Sequence, residues 1–143
     1  MSPLADIGHV IQLAIAPVFM LTAIGTVLNV LAARLGRAVD RRRVLMAALL
    51  RLEGELADLA RREVEFEVRR IRLIYYAITL AVASALLVCA LISLAFLDAF
   101  VRADMARFVA VLFILSMVVL TASLAIFLRE IFLAVDSPRA PIL

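Results

Sequence analysis

The chain has 143 residues, 66% of them hydrophobic, well above the roughly 45–50% of a soluble domain. Its fifteen basic residues, every one an arginine, outnumber twelve acids and leave a net charge of +3. The lone Cys89 excludes an intrachain disulfide or a thiolate metal cluster, and no connecting segment has the size of a separate soluble domain, so a single membrane domain over 1–143 is expected.

The first predicted element is a membrane span over about 9–34, built on the uncharged run Val10–Ala33. A helix needs about 20 apolar residues to cross a bilayer. A cleaved signal is a poor reading. No Lys or Arg precedes Arg34, and the run exceeds the roughly 7–15 residues of a signal's apolar region. His9 falls at the membrane edge and reads as interfacial rather than as a ligand. The span carries a polar stripe of Gln12, Pro17, Thr22, Thr26 and Asn29. Thr22, Thr26 and Asn29 stand at i, i+4 and i+7 and so share one face. Pro17 frees the carbonyl of Leu13. Such a stripe lines water in a pore or bonds to neighbouring helices, at about 0.6 kcal/mol per side chain. The second role is the commoner one. No Asp, Glu, Lys, Arg or His lies deep in any span, which argues against a proton pump or charge-coupled transporter.

Residues of about 35–71 form the second region. Leu45, Leu49, Leu52, Leu56, Leu59, Glu63 and Phe66 alternate steps of four and three, a coiled-coil seam with one polar break. A straight helix from Val44 to Arg72 would be about 42 Å long, whereas the connection 34–43 reaches only about 33 Å. Both ends meet the same membrane face, so the segment must turn back or lie flat. Gly54, nearly midway, suits a turn. The expected structure is a cytoplasmic helical hairpin with arms of about 34–52 and 55–72. The alternative is an amphipathic helix on anionic inner-leaflet lipids, for which eleven arginines against seven acids over 34–72 give a modest net +4.

The second span covers about 72–98. It carries Ala77, Ala81, Ala85, Cys89 and Ser93 at every fourth position, a helix-packing ladder that lets backbones approach closely. Cys89 reads as a small packing residue of that ladder. An outer loop over 99–106 leads to a third span over about 107–130 and a cytoplasmic tail over 131–143.

Arginine placement sets the orientation. Segment 34–72 holds eleven arginines, while 98–107 holds two, balanced by Asp98 and Asp104. The positive-inside rule puts 34–72 and the C-terminus in the cytoplasm and the N-terminus outside. At the cytoplasmic rim, Arg34, Arg37, Asp40, Arg41, Arg129 and Glu130 are candidates for interhelical ion pairs. Tyr75 and Tyr76 lie just inside the same rim, where aromatic rings prefer to sit. A membrane flank explains the Asp40–Arg43 run better than nucleic-acid binding.

The stretch 11–22 (IQLAIAPVFMLT), Leu28-Asn29-Val30-Leu31, Arg34-Leu35-Gly36-Arg37, Asp40-Arg41 and the ending 127–134 (FLREIFLA) together resemble an uncharacterised bacterial membrane family. It is number twenty-seven twenty-one of the domain-of-unknown-function series. The resemblance covers nearly the whole chain and implies a bacterial, three-span helical protein; it brings no activity with it.

No phosphate loop, metal-ligand spacing or nucleophile–base pair is present in the sequence, so no catalytic, cofactor or metal site is expected. The expected class is an all-α membrane protein of the bacterial inner membrane, with the lipid bilayer and further copies of itself as partners. The expected role is a non-enzymatic, self-associating scaffold or accessory subunit. The alternative is a homo-oligomeric channel lined by span one.

Overall fold

The computed structural model describes residues 3–101 and 105–135. Expectations that rest on Arg102, Asp104 and Arg139, or on the side chain of His9, lie outside the described residues. The described chain is all-helical: α1 (Pro3–Leu49), α2 (Glu55–Val101) and α3 (Ala106–Val135). Each contains a stretch long and apolar enough to cross a membrane.

Long uninterrupted helices follow from the composition. Ala, Leu and Arg, all strong helix formers, dominate these segments. α1 continues through Pro17, where one missing N–H is tolerated in an apolar helix. It also continues without a break past Arg34, so the expected boundary between span and arm is no boundary in the backbone.

What ends α1 and begins α2 is local. The Arg51 N–H donates to the Ala48 carbonyl at 2.9 Å, closing the last turn of α1. Gly54 has a φ of +66°, a left-handed conformation that costs residues with a Cβ about 1–2 kcal/mol. Its carbonyl accepts from the N–H groups of Ala57 and Asp58, so Gly54 is the residue from which α2 starts. Glu55 and Asp58 occupy the first turn of α2, where negative charge complements the helix dipole. α3 begins similarly. The Met105 N–H donates to an Asp98 carboxylate oxygen at 3.0 Å, and the Met105 carbonyl takes the Val109 N–H.

The chain forms two compact units. The first joins the N-terminal part of α1, through Leu28, to residues 79–122. Its core is Ile24, Ala81, Val88 and Leu91, with Met20, Leu28, Ala85 and Leu112 packed around it. Ser84 is buried there and donates to the carbonyl of Ser116 at 2.8 Å, tying α2 to α3.

The second unit joins residues 29–78 to the C-terminal part of α3, from Ser123. Leu31, Ala38, Leu45, Ala57, Ala60, Ile74 and Ala77 are buried in it. Ser123 donates to the Ala77 carbonyl at 2.7 Å. Small residues dominate this core because alanine lets two helix backbones approach closely.

Buried positions in each helix recur every seven residues. They are Ile24, Leu31, Ala38 and Leu45 in α1, Ala60, Glu67, Ile74, Ala81 and Val88 in α2, and Ser116, Ser123 and Glu130 in α3. A repeat of seven, just under two full turns, keeps one narrow face pointed at its neighbours. The leucine seam expected beyond the turn is displaced. Leu45 is buried, but Leu56 and Leu59 are exposed, while Ala57 and Ala60 beside them are buried. The Gly54 turn resets the phase of the helix, and the alanines take the inward positions.

Replacing Gly54 with alanine should cost about 1 kcal/mol of stability, and replacing it with asparagine less, because asparagine tolerates the left-handed region better. Thermal unfolding of the full chain in detergent, followed by circular dichroism, measures both.

Candidate functional site

The second unit contains the only buried side chains of charged type among the described residues: Glu63, Glu67 and Glu130. A carboxylate removed from water is tolerated where a cation and hydrogen bonds replace the lost hydration. Each has such a partner.

Glu130 is fully buried on α3. Its Oε2 accepts from Arg34 Nη1 of α1 at 3.0 Å. Its Oε1 accepts from Arg70 Nε and Nη2 of α2 at 3.1 and 2.9 Å. One carboxylate therefore joins all three helices. Arg70 extends the network along its own helix, donating through Nη1 to both oxygens of Glu67 at 3.0 and 3.2 Å. Two arginines and two glutamates form this cluster, so its formal charges cancel. The Arg34 guanidinium also lies over the Phe127 ring, 5.2 Å from its centroid. That placement adds a cation–π attraction.

A second pair lies closer to the turn. Arg41 grips Glu63 Oε1 through Nε at 3.0 Å and Nη2 at 2.7 Å. It fastens α1 to α2 across the Leu50–Gly54 connection. Burial pushes the Glu67 carboxyl above its ordinary value of 4.5, the neighbouring Arg70 guanidinium opposes that rise, and Glu63 adds to it. No buried side-chain nitrogen or oxygen among the described residues lacks a hydrogen-bond partner.

These contacts use three of the six rim residues that the sequence singled out: Arg34, Arg41 and Glu130. Arg37, Asp40 and Arg129 are exposed. The pairing partners Glu63, Glu67 and Arg70 were not among the candidates. Their signal was present, because Glu63, Glu67, Arg70, Ile74 and Ala77 follow steps of four, three, four and three on one face of α2.

Four of the five members of the α1 polar stripe face outward. Gln12, Thr22, Thr26 and Asn29 are exposed, and Pro17 is buried. Thr22 and Thr26 donate back to the carbonyls of Val18 and Thr22, one turn earlier on their own helix. The α2 ladder is divided. Ala77 and Ala81 are buried, Ala85 is half-buried, and Cys89 and Ser93 are exposed. A step of four residues turns about 40° past a full turn, so a ladder of four steps winds away from the face on which it begins.

The geometry is that of a clamp. The guanidinium groups of Arg34, Arg41 and Arg70 are spent on carboxylates, and both Glu130 oxygens are occupied. Removing one member strands a charge with little access to water. Glu130→Ala should therefore lower stability by about 3 kcal/mol. Asp58→Ala should cost less than about 1 kcal/mol, because the Asp58–Arg61 pair is open to water and only the helix-dipole contribution is lost. Denaturation of the two variants side by side in one detergent provides the comparison.

A family described as "Protein of unknown function (DUF2721)" matches residues 14–140. No curated protein and no solved structure matches the chain. The family match takes in α1 from Ala14 onward, the whole of α2 and α3 and every member of the charged cluster, and the chain belongs to the DUF2721 family.

Proposed function

We propose that this protein is a non-enzymatic, multi-pass protein of the bacterial inner membrane that acts as a self-associating scaffold or accessory subunit. Its N-terminus lies outside and its C-terminus in the cytoplasm. The segments flanking Gly54 project into the cytoplasm as a helical hairpin of coiled-coil character. The observation that carries this reading is the double pairing of Glu130 with Arg34 and Arg70. A buried carboxylate whose oxygens are both held by permanent cations serves to fix helices against one another. It is poorly placed to accept a proton from a substrate.

Two further observations support the orientation and the partners. Arg37, Arg42, Arg43, Arg69, Arg72 and Arg129 are exposed beside the apolar runs, as expected of arginines on the cytoplasmic side of a membrane. Anionic inner-leaflet lipids would meet these cations. Tyr75 and Tyr76 are exposed next to them, where aromatic side chains sit at the headgroup level.

A channel built from several copies is the second reading, and the outward-facing Gln12, Thr22, Thr26 and Asn29 favour it. Three helices with a packed core enclose no pore by themselves, so a ring of copies would be required.

One preparation tests both readings. In a Cys89→Ser background, Glu53→Cys should react with an impermeant maleimide only after the cells are permeabilised. The purified protein should run as an oligomer by native mass measurement from lipid nanodiscs. Labelling in intact cells would overturn the orientation, and a monomer would overturn self-association. Ion flux in liposomes under voltage, reduced by Thr26→Leu, would favour the channel over the scaffold.

A further inference from the structure

The surface of α1 within the second unit carries a second seam that its own chain does not use. Asn29, Ala33, Gly36, Asp40 and Arg43 follow steps of four, three, four and three, and all five are exposed. They lie on the side of the helix opposite Leu31, Ala38 and Leu45, which are buried. Four of these positions have no rationale within a single chain. The Asn29 amide lies inside the apolar run 10–33 and has no hydrogen-bond partner among the described residues. Hydrocarbon offers such an amide nothing. Gly36 costs helix stability relative to alanine, yet a Cβ at that position would meet nothing within 4 Å. Asp40 and Arg43 are opposite charges one turn apart, and neither is ion-paired among the described residues.

We infer that this seam docks α1 of a second copy of the chain, side by side and parallel. The inference rests on the self-association proposed above and names its surface. Copies inserted in one membrane share one orientation, so Asn29 of one protomer lies at the depth of Asn29 of the partner subunit. A primary amide is both donor and acceptor, so two of them satisfy each other. Ala33 and Gly36 provide the close approach that membrane helices use in place of a hydrophobic drive. Beyond the apolar run, Asp40 of one copy comes within reach of Arg43 of the partner subunit, and the reverse. A lipid tail would match none of these features. A lipid phosphate would match Arg43 and be repelled by Asp40.

Crosslinking and charge reversal test the seam in the full chain, carrying Cys89→Ser and reconstituted in neutral phosphatidylcholine vesicles. Ala33→Cys should give a covalent dimer with a short bismaleimide. Val30→Cys, exposed at similar depth but off the seam, should not. Asn29→Leu should weaken association about threefold, the loss expected for one interhelical side-chain hydrogen bond. Asp40→Arg and Arg43→Asp should each weaken it, and the double reversal should restore it. Equal crosslinking at Val30 and Ala33, or charge reversals without effect, would overturn the seam while leaving self-association through another face intact. A chain that is monomeric in native mass measurement would overturn both. Crosslinking that appears only when anionic phosphatidylglycerol is added would assign the seam to lipid phosphate and overturn the protein–protein contact.

Discussion

A carboxylate shut away from water must have its charge answered, and Glu130 imposes that condition on all three helices at once. Its partners, Arg34 and Arg70, lie 96 and 60 residues away in sequence, so the ion pairs form only when α1, α2 and α3 are correctly assembled. Hydrophobic contact alone is permissive about rotation and sliding in long apolar helices. A buried ion pair is not, because a register error strands a charge. Arginine suits the task better than lysine would. Its planar fork places two donors on Glu130 Oε1 and still reaches Glu67.

The repeat of seven supplies the frame within which that condition can be met. α3 contributes Ser116, Ser123 and Glu130 to its buried face, one polar group per two turns. Each finds a partner: Ser116 Oγ donates to the Phe113 carbonyl, Ser123 Oγ donates to that of Ala77, and Glu130 accepts from two arginines. The serines are small enough for close helix contact, and their hydroxyls are satisfied by backbone. Polar side chains here add directional restraint to a core of alanine and larger aliphatic residues.

Much of the architecture was legible in the sequence because it follows from length and spacing. Three apolar runs gave three helices, and Gly54 marked the turn because its position needed a residue free of a Cβ. The cluster was only half legible. Arg34 and Glu130 stand out because they flank apolar runs, and Arg41 because it follows closely in the Asp40–Arg43 run. Glu67 and Arg70 were hidden within a segment where nearly every other residue is charged, and composition does not reveal which charges point inward. Helical phase does, once it is counted from Ile74 and Ala77, at the start of the second apolar run. The ladder of small residues misled for a related reason. A step of four drifts around the helix, so Cys89 and Ser93 cannot share the buried face of Ala77. The leucine seam failed at the glycine, since a turn breaks the phase on which a periodic pattern depends.

The claim on which the account turns is that Glu130 and Arg70 stabilise the helices through each other. A double-mutant cycle of Glu130→Gln and Arg70→Met, measured by reversible unfolding in detergent, isolates that pairwise energy. The account predicts a coupling above about 1.5 kcal/mol, as expected of close charge pairs with little access to water. A coupling near zero, with the two single losses simply adding, would contradict it.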